Sequence, residues 1–128
     1  MSIEEYLRAR DERIKEYQRD KSMEVAVKGF TEHLVRAEYV RNFTWMGVPI
    51  LQYPADIMAM QEIIWKVKPD HIIETGVAFG GGLLFYASIL NAIGRKGTVL
   101  GIDIDPREEN MDVLEKHYLR DRINIVKG

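Results

Sequence analysis

Glu74-Thr75-Gly76-Val77-Ala78-Phe79-Gly80-Gly81-Gly82 holds the densest chemical signal in this chain of 128 residues. A short apolar run, His71-Ile72-Ile73, ends in the Glu74 carboxylate. A glycine-rich turn follows, and an apolar helix begins after it. A strand that reverses sharply into a helix while its backbone touches a ligand leaves little room for side chains, so small residues are needed. Such a turn aims backbone N–H groups and a helix N-terminus at a nucleotide-like ligand. A second acidic signal lies in Gly101-Ile102-Asp103-Ile104-Asp105-Pro106. Asp103 falls 23 residues beyond Gly80, at the end of an apolar strand, where a carboxylate can accept hydrogen bonds from both ribose hydroxyls. Asp105 points the same way if the chain stays extended. The favoured alternative is that it caps a helix opening at Pro106. Together these segments read as an adenosine-type cofactor site, with Glu74, Gly76, Ala78, Gly80, Gly81, Gly82 and Asp103 as cofactor-binding candidates. The competing reading is a structural glycine turn in a nonbinding α/β protein, because one glycine motif alone is a weak signal.

The spacing Glu74-x-Gly76-x-Ala78-x-Gly80 departs from the Gly-x-Gly-x-x-Gly of dinucleotide-binding turns. It resembles the first motif of class I S-adenosylmethionine-dependent methyltransferases. That resemblance implies a glycine turn wrapping the methionine part of the cofactor and a strand-end carboxylate, Glu74, that helps order the turn. Elsewhere the chemistry is sparse. His33, His71 and His117 are scattered, and none has a His, Asp or Glu neighbour at metal-ligand spacing. No residue reads as a catalytic base or nucleophile.

The elements that position these residues follow from periodicity. Residues 2–38 read as a helical arm, with Ile3, Leu7, Ile14 and Tyr17 on one face among dense charges. Asp20-Lys21-Ser22 divides it, with Ser22 as the N-cap of a second helix carrying Met23, Ala26, Val27, Phe30, Leu34 and Ala37. Residues 39–53 lose the period and are rich in aromatics. They read as a loop with a short strand around Pro49–Leu51, packed over a core edge or lining a pocket. Pro54 opens a helix and Pro69 stops it. His71–Glu74, Thr98–Asp103 and Arg122–Val126 read as strands. The helix Leu83–Ile93 between the first two is apolar nearly all round and so buried. Pro106 starts a helix with Met111, Leu114 and Tyr118 on one face. The expected fold is α/β: a helical arm over 1–38, then a β-α-β-α-β domain over 39–128.

Composition bounds the partners. A formal net charge of −2 gives no case for nucleic acid or an anionic membrane surface. Without cysteine there is no disulfide or thiolate metal site. No apolar run approaches the roughly 20 residues of a membrane span. The start, Met1-Ser2-Ile3-Glu4-Glu5, lacks the apolar core of a signal peptide. A soluble cytoplasmic protein is the expectation, with a homo-oligomer left open.

A more specific likeness covers about half the chain. Asn42-Phe43-Thr44-Trp45-Met46-Gly47-Val48-Pro49-Ile50, Gln52-Tyr53-Pro54-Ala55-Asp56, Met60-Gln61-Glu62-Ile63-Ile64-Trp65, Lys68-Pro69-Asp70 and Ile73-Glu74-Thr75-Gly76-Val77-Ala78 resemble the cephalosporin hydroxylase family, which includes rhamnosyl O-methyltransferase-like proteins. The resemblance implies a Rossmann-like methyltransferase domain that binds S-adenosylmethionine and a divalent metal, usually Mg2+, and methylates a sugar or secondary metabolite. It also implies metal ligands after the fourth and fifth strands, beyond Gly128. On that reading the chain is the first half of the domain, with strand order 3-2-1, an open edge at His71–Glu74, and little activity of its own. One position departs from the family, which usually has Ser where this chain has Gly82. Two other readings stand beside it: an NAD-dependent or nucleotide-sugar oxidoreductase fragment, and a noncatalytic Rossmann-like interaction protein.

Overall fold

The computed structural model describes residues 1–128. The chain forms two compact units, Met1–Glu38 and Tyr39–Gly128. The first holds two helices, α1 (Ile3–Tyr17) and α2 (Lys21–Arg36). Ser2 and Glu5 close a reciprocal capping box on α1, each side chain meeting the other residue's backbone N–H. The N-cap of α2 is Asp20 rather than Ser22: its carboxylate accepts from the N–H groups of Ser22 and Met23 and from the Ser22 hydroxyl. An ionised side chain one residue before the first turn outcompetes a hydroxyl inside it.

The second unit begins with a 3-10 turn, Tyr39–Asn42, and an antiparallel hairpin of β1 (Thr44–Trp45) and β2 (Val48–Pro49). The expected loop with one strand is therefore a two-stranded hairpin. Its connection is Met46-Gly47, with φ of +49° and +85°. Two positive φ values in a two-residue link match the twist of the strands it joins. Helix α3 (Pro54–Val67) begins on Pro54 and ends at Lys68 in a left-handed conformation, φ +50°.

Three parallel strands follow: β3 (His71–Thr75), β4 (Thr98–Asp103) and β5 (Ile123–Lys127), in spatial order β3-β4-β5. Helix α4 (Gly81–Ala92) joins β3 to β4, and α5 (Glu108–Glu115) stands between β4 and β5. Pro106 lies outside α5, whose N-cap is Arg107, and Tyr118 lies beyond its end and is largely exposed. The core gathers on the α4 side of the sheet. Leu83, Leu84, Ala87 and Leu90 of α4 bury completely against Val99, with Ile123, Leu114 and Leu119 closing the cluster. The opposite sheet face carries Ile73, Leu100, Ile102 and Val126, and Ile73 is 63% exposed. Parallel sheets usually have both faces covered, which makes this bare face distinctive. No helix is long and apolar enough to cross a membrane.

The hairpin is fastened to α4. The Trp45 indole N–H donates to the Ser88 hydroxyl at 3.1 Å, and its ring meets Phe85 edge-on at 5.0 Å. At the head of the helix, a Cβ on Gly81 would overlap the backbone carbonyl of Pro49. Gly81→Ala should therefore cost about 1–3 kcal/mol of unfolding free energy, since neither backbone can yield easily. Gly29→Ala, in open space on α2, should instead stabilise by about 0.5–1 kcal/mol. Urea unfolding of the two variants checks both signs.

Candidate functional site

The site forms where β3 and β4 end side by side. Their register pairs Thr75 with Ile102, so Asp103 at the tip of β4 stands level with the turn leaving β3. The Gly76 N–H donates to the Ile102 carbonyl at 2.8 Å, extending the ladder into the turn. Asp103 Oδ2 accepts from the Val77 N–H at 2.6 Å and the Ala78 N–H at 3.4 Å, while Oδ1 accepts from the Asp105 N–H at 2.9 Å. These backbone donors, Asp105 first and then Val77, hold the Asp103 carboxyl below the usual carboxylate range. The Asn110 side-chain amide donates to the Ala78 carbonyl at 3.0 Å, which ties the far side of the turn to α5.

Asp103 therefore orders the turn, the task the motif resemblance gives to Glu74. The physical reason is direction. Glu74 points to the α4 face of the sheet, and its carboxylate lies against Gly82, where a Cβ would overlap it. Glu74 Oε2 is buried there with no hydrogen-bond partner. Burial raises its pKa from 4.5 to about 7. Tyr86, on the same helix, is raised by burial and secondarily by the Glu74 charge.

The three consecutive glycines serve three packing needs. Gly80 takes φ +89° at the N-cap of α4, and a Cβ there would meet the Leu114 side chain. Gly81 passes the Pro49 carbonyl, and Gly82 clears the Glu74 carboxylate. The α4 N-terminus has no side-chain cap. The open part of the turn is its leading half: Gly76, at φ +80° with nothing within 4 Å of a built Cβ, and Ala78, at φ +50°. All seven sequence candidates thus lie in or beside one turn, but the last three glycines meet protein atoms while Gly76 and Ala78 meet open space.

Two hollows flank the turn. One, of about 290 Å³, is lined by Ala78, Phe79, Asp103, Asp105, Arg107 and Asn110. The other, of about 100 Å³, lies between the turn and the Pro49–Gln52 segment after the hairpin, with Glu74 in its wall. Asp105 caps no helix. It lines the larger hollow, and its carboxylate lies 3.8 Å from the Lys127 ammonium. Phe79, Arg107, Asn110 and the Pro49–Gln52 segment are lining residues that motif spacing does not single out. The aromatic density of 39–53 was the one available hint, and it marks both uses at once: Trp45 packs on α4 and the following residues line the small hollow. The three histidines each have a local partner: Gly29 O for His33, the Thr98 hydroxyl for His71 and the Leu119 N–H for His117. No group of three or more His, Cys, Asp or Glu side chains converges to hold a metal ion.

The sign of the Glu74 effect follows from its raised pKa. The native state binds this proton more tightly than the unfolded chain, so the contribution to stability is complete below about pH 4.5 and is lost as pH rises through about 7. Glu74→Gln, which cannot ionise, should match the wild type near pH 4.5 and exceed it near pH 8 by about 3 kcal/mol. Thermal or denaturant unfolding at the two pH values measures the difference.

Comparisons with known proteins bear on the family and the fold. Residues 37–128 match the family model described as rhamnosyl O-methyltransferase/CmcI. A rhamnosyl O-methyltransferase of Mycobacterium leprae is 38% identical over 86 residues, covering 59% of this chain and 38% of the relative. One from Mycobacterium tuberculosis is 33% identical over 69 residues, covering 50% of this chain and 28% of the relative. A solved structure of CmcI with SAH superposes with a TM-score of 0.55 at 24% identity, over 67% of this chain and 42% of that one. A CmcI structure with Mg and SAM gives 0.56 at 24% identity, over 69% and 36%. These structural likenesses speak for the fold. The chain spans about two-fifths or less of the length of these curated relatives. With its match running from the residue before Glu38 to Gly128, the chain belongs to the rhamnosyl O-methyltransferase/CmcI family.

Proposed function

We propose that residues 39–128 are the cofactor-binding part of a cytoplasmic S-adenosylmethionine-dependent O-methyltransferase that acts on a small molecule, a sugar or secondary metabolite, and that their sheet is the 3-2-1 half of a Rossmann-like methyltransferase domain. The observation that carries the reading is the pair of carboxylates on either side of one backbone turn. Asp103, ionised and rigid, stands in the hollow large enough for a nucleoside. Glu74, with a buried oxygen lacking a partner, stands in the other. A buried acceptor of this kind gains most from a cationic donor. S-adenosylmethionine has an adenosine, with its ribose hydroxyls, on one side of its sulfonium and an ammonium on the other, so the residues present fit it.

When bound, this cofactor supplies a methyl group on a sulfonium, which passes to an acceptor oxygen as that oxygen gives up its proton. The protein's part is positioning. Asp103 spends most of its acceptor capacity on Val77, Ala78 and Asp105. One lone pair of Oδ1 remains for a ligand, which narrows the expected contact from two ribose hydroxyls to one strong bond. Glu74 takes the ammonium, and the first turn of α4, whose Gly81 and Gly82 line the same hollow, receives the cofactor's carboxylate. Holding the sulfonium fixed in this way lowers the entropic cost of methyl transfer. The structure offers no donor cluster for magnesium, and no step here runs through one. The alternative of a nicotinamide cofactor draws no support from a turn without Gly-x-Gly-x-x-Gly.

Calorimetric titration tests the reading. The wild-type chain should bind S-adenosylmethionine and not NAD. Asp103→Asn should weaken the former about 10-fold or more, the worth of a charged hydrogen bond. Binding of NAD in place of S-adenosylmethionine would overturn the proposal.

A further inference from the structure

Phe79 stands at the tip of the turn, an aromatic side chain 38% exposed among polar and backbone groups. Ala78 and Phe79 are the two residues that line both hollows. A single ligand that reaches from Asp103 to Glu74 must therefore cross them. The chemistry of S-adenosylmethionine then fixes what lies at the crossing. Its sulfonium is bonded to the ribose C5′ on one side and to the amino-acid chain on the other, so the sulfur is the atom between the two ends. Ala78 presents only a methyl group at this point. Phe79 presents a ring, and it enters no aromatic pair within the protein.

We infer that Phe79 is a specificity-determining residue for cofactor charge: its ring faces the sulfonium and favours the charged methyl donor over the neutral thioether left after transfer. The inference rests on the S-adenosylmethionine reading of the site. The physical basis is the negative face of the aromatic ring, which attracts a weakly hydrated cation and has no such preference for an uncharged sulfur. Glu74, Asp103, Asp105 and Arg107 lie in the walls of one hollow or the other. None of them lines both, whereas Phe79 does. The functional consequence is product release. After methyl transfer the sulfur becomes neutral and the attraction at Phe79 disappears.

The test compares two ligands on three proteins. Dissociation constants for S-adenosylmethionine and S-adenosylhomocysteine are measured by calorimetry on the wild type, Phe79→Leu and Phe79→Tyr. In the wild type the charged donor should bind more tightly. Phe79→Leu keeps an apolar side chain of similar reach but removes the ring. It should weaken S-adenosylmethionine about 5- to 10-fold and S-adenosylhomocysteine less than about 2-fold. Phe79→Tyr keeps the ring and should restore the wild-type ratio. Equal weakening of both ligands in Phe79→Leu, or no change in either, would overturn the inference while leaving the cofactor reading intact. A wild type that binds neither ligand would remove the reading itself, and the role of Phe79 with it. Because Phe79 is exposed at the turn tip, the variants should melt with the wild type, and a melting curve on each confirms that loss of binding is not loss of fold.

Discussion

The hydrogen bond from the Val77 N–H to Asp103 Oδ2, at 2.6 Å, is the interaction on which the site depends. It crosses from the end of one strand to the start of the turn after its neighbour. Without it the turn would have to find another acceptor for two backbone N–H groups whose positions are fixed by β3 on one side and α4 on the other. A carboxylate suits the task because it accepts from several donors at once. Asp103 takes Val77 and Ala78 on one oxygen and Asp105 on the other. The same group thus fixes the shape of the glycine turn and the path of the chain leaving β4. The remaining shape of the site follows from those two paths.

Packing beneath the turn explains why that arrangement is rigid. Gly101 on β4 leaves room for Val77 and Leu83, since a Cβ there would overlap both. Leu83 is completely buried, so the first turn of α4 is pressed onto the strand that carries Asp103. From the other side, the hairpin presses the Pro49 carbonyl against Gly81. A helix clamped between a strand and a hairpin cannot shift along its axis. The Glu74 carboxylate, lying against Gly82, is the one element of this cluster left without a compensating partner. A buried acceptor without a donor is costly in the free protein and favourable toward a cationic ligand. Glycine at position 82 matters here, because a Cβ would overlap the space the carboxylate fills.

Much of this was legible in the sequence, and the misses have physical causes. The long periodic segments and the apolar strands announced themselves through hydrophobic spacing, and Pro54 marked the start of α3. The Asn42–Ala78 segment pointed to the family. The hairpin over Thr44–Pro49 was obscured because its turn uses Met46-Gly47, a pair without the usual asparagine or aspartate signal, in strands of two residues each. Asp105 looked like a cap because it precedes Pro106, but the chain takes two more residues before α5 begins. That Asp103 and not Glu74 meets the turn's N–H groups was hidden for a deeper reason. Spacing shows that both carboxylates stand near strand ends, while only strand register and side-chain direction decide which one meets the turn's N–H groups. Phe79 carried no motif signal, since its importance comes from lying between two hollows that exist only in three dimensions.

The central claim is that the turn between Asp103 and Glu74 is one continuous cofactor cradle. Titration of the isotope-labelled chain with S-adenosylmethionine, followed by backbone amide resonances, tests it directly. Shifts should concentrate at Gly76–Gly82 and Asp103–Arg107 and extend to Leu51 and Gln52, with the Gly94–Lys96 turn at the opposite end of α4 unmoved. Shifts confined to one side of the turn, centred elsewhere in the chain, or absent at saturating ligand would contradict it.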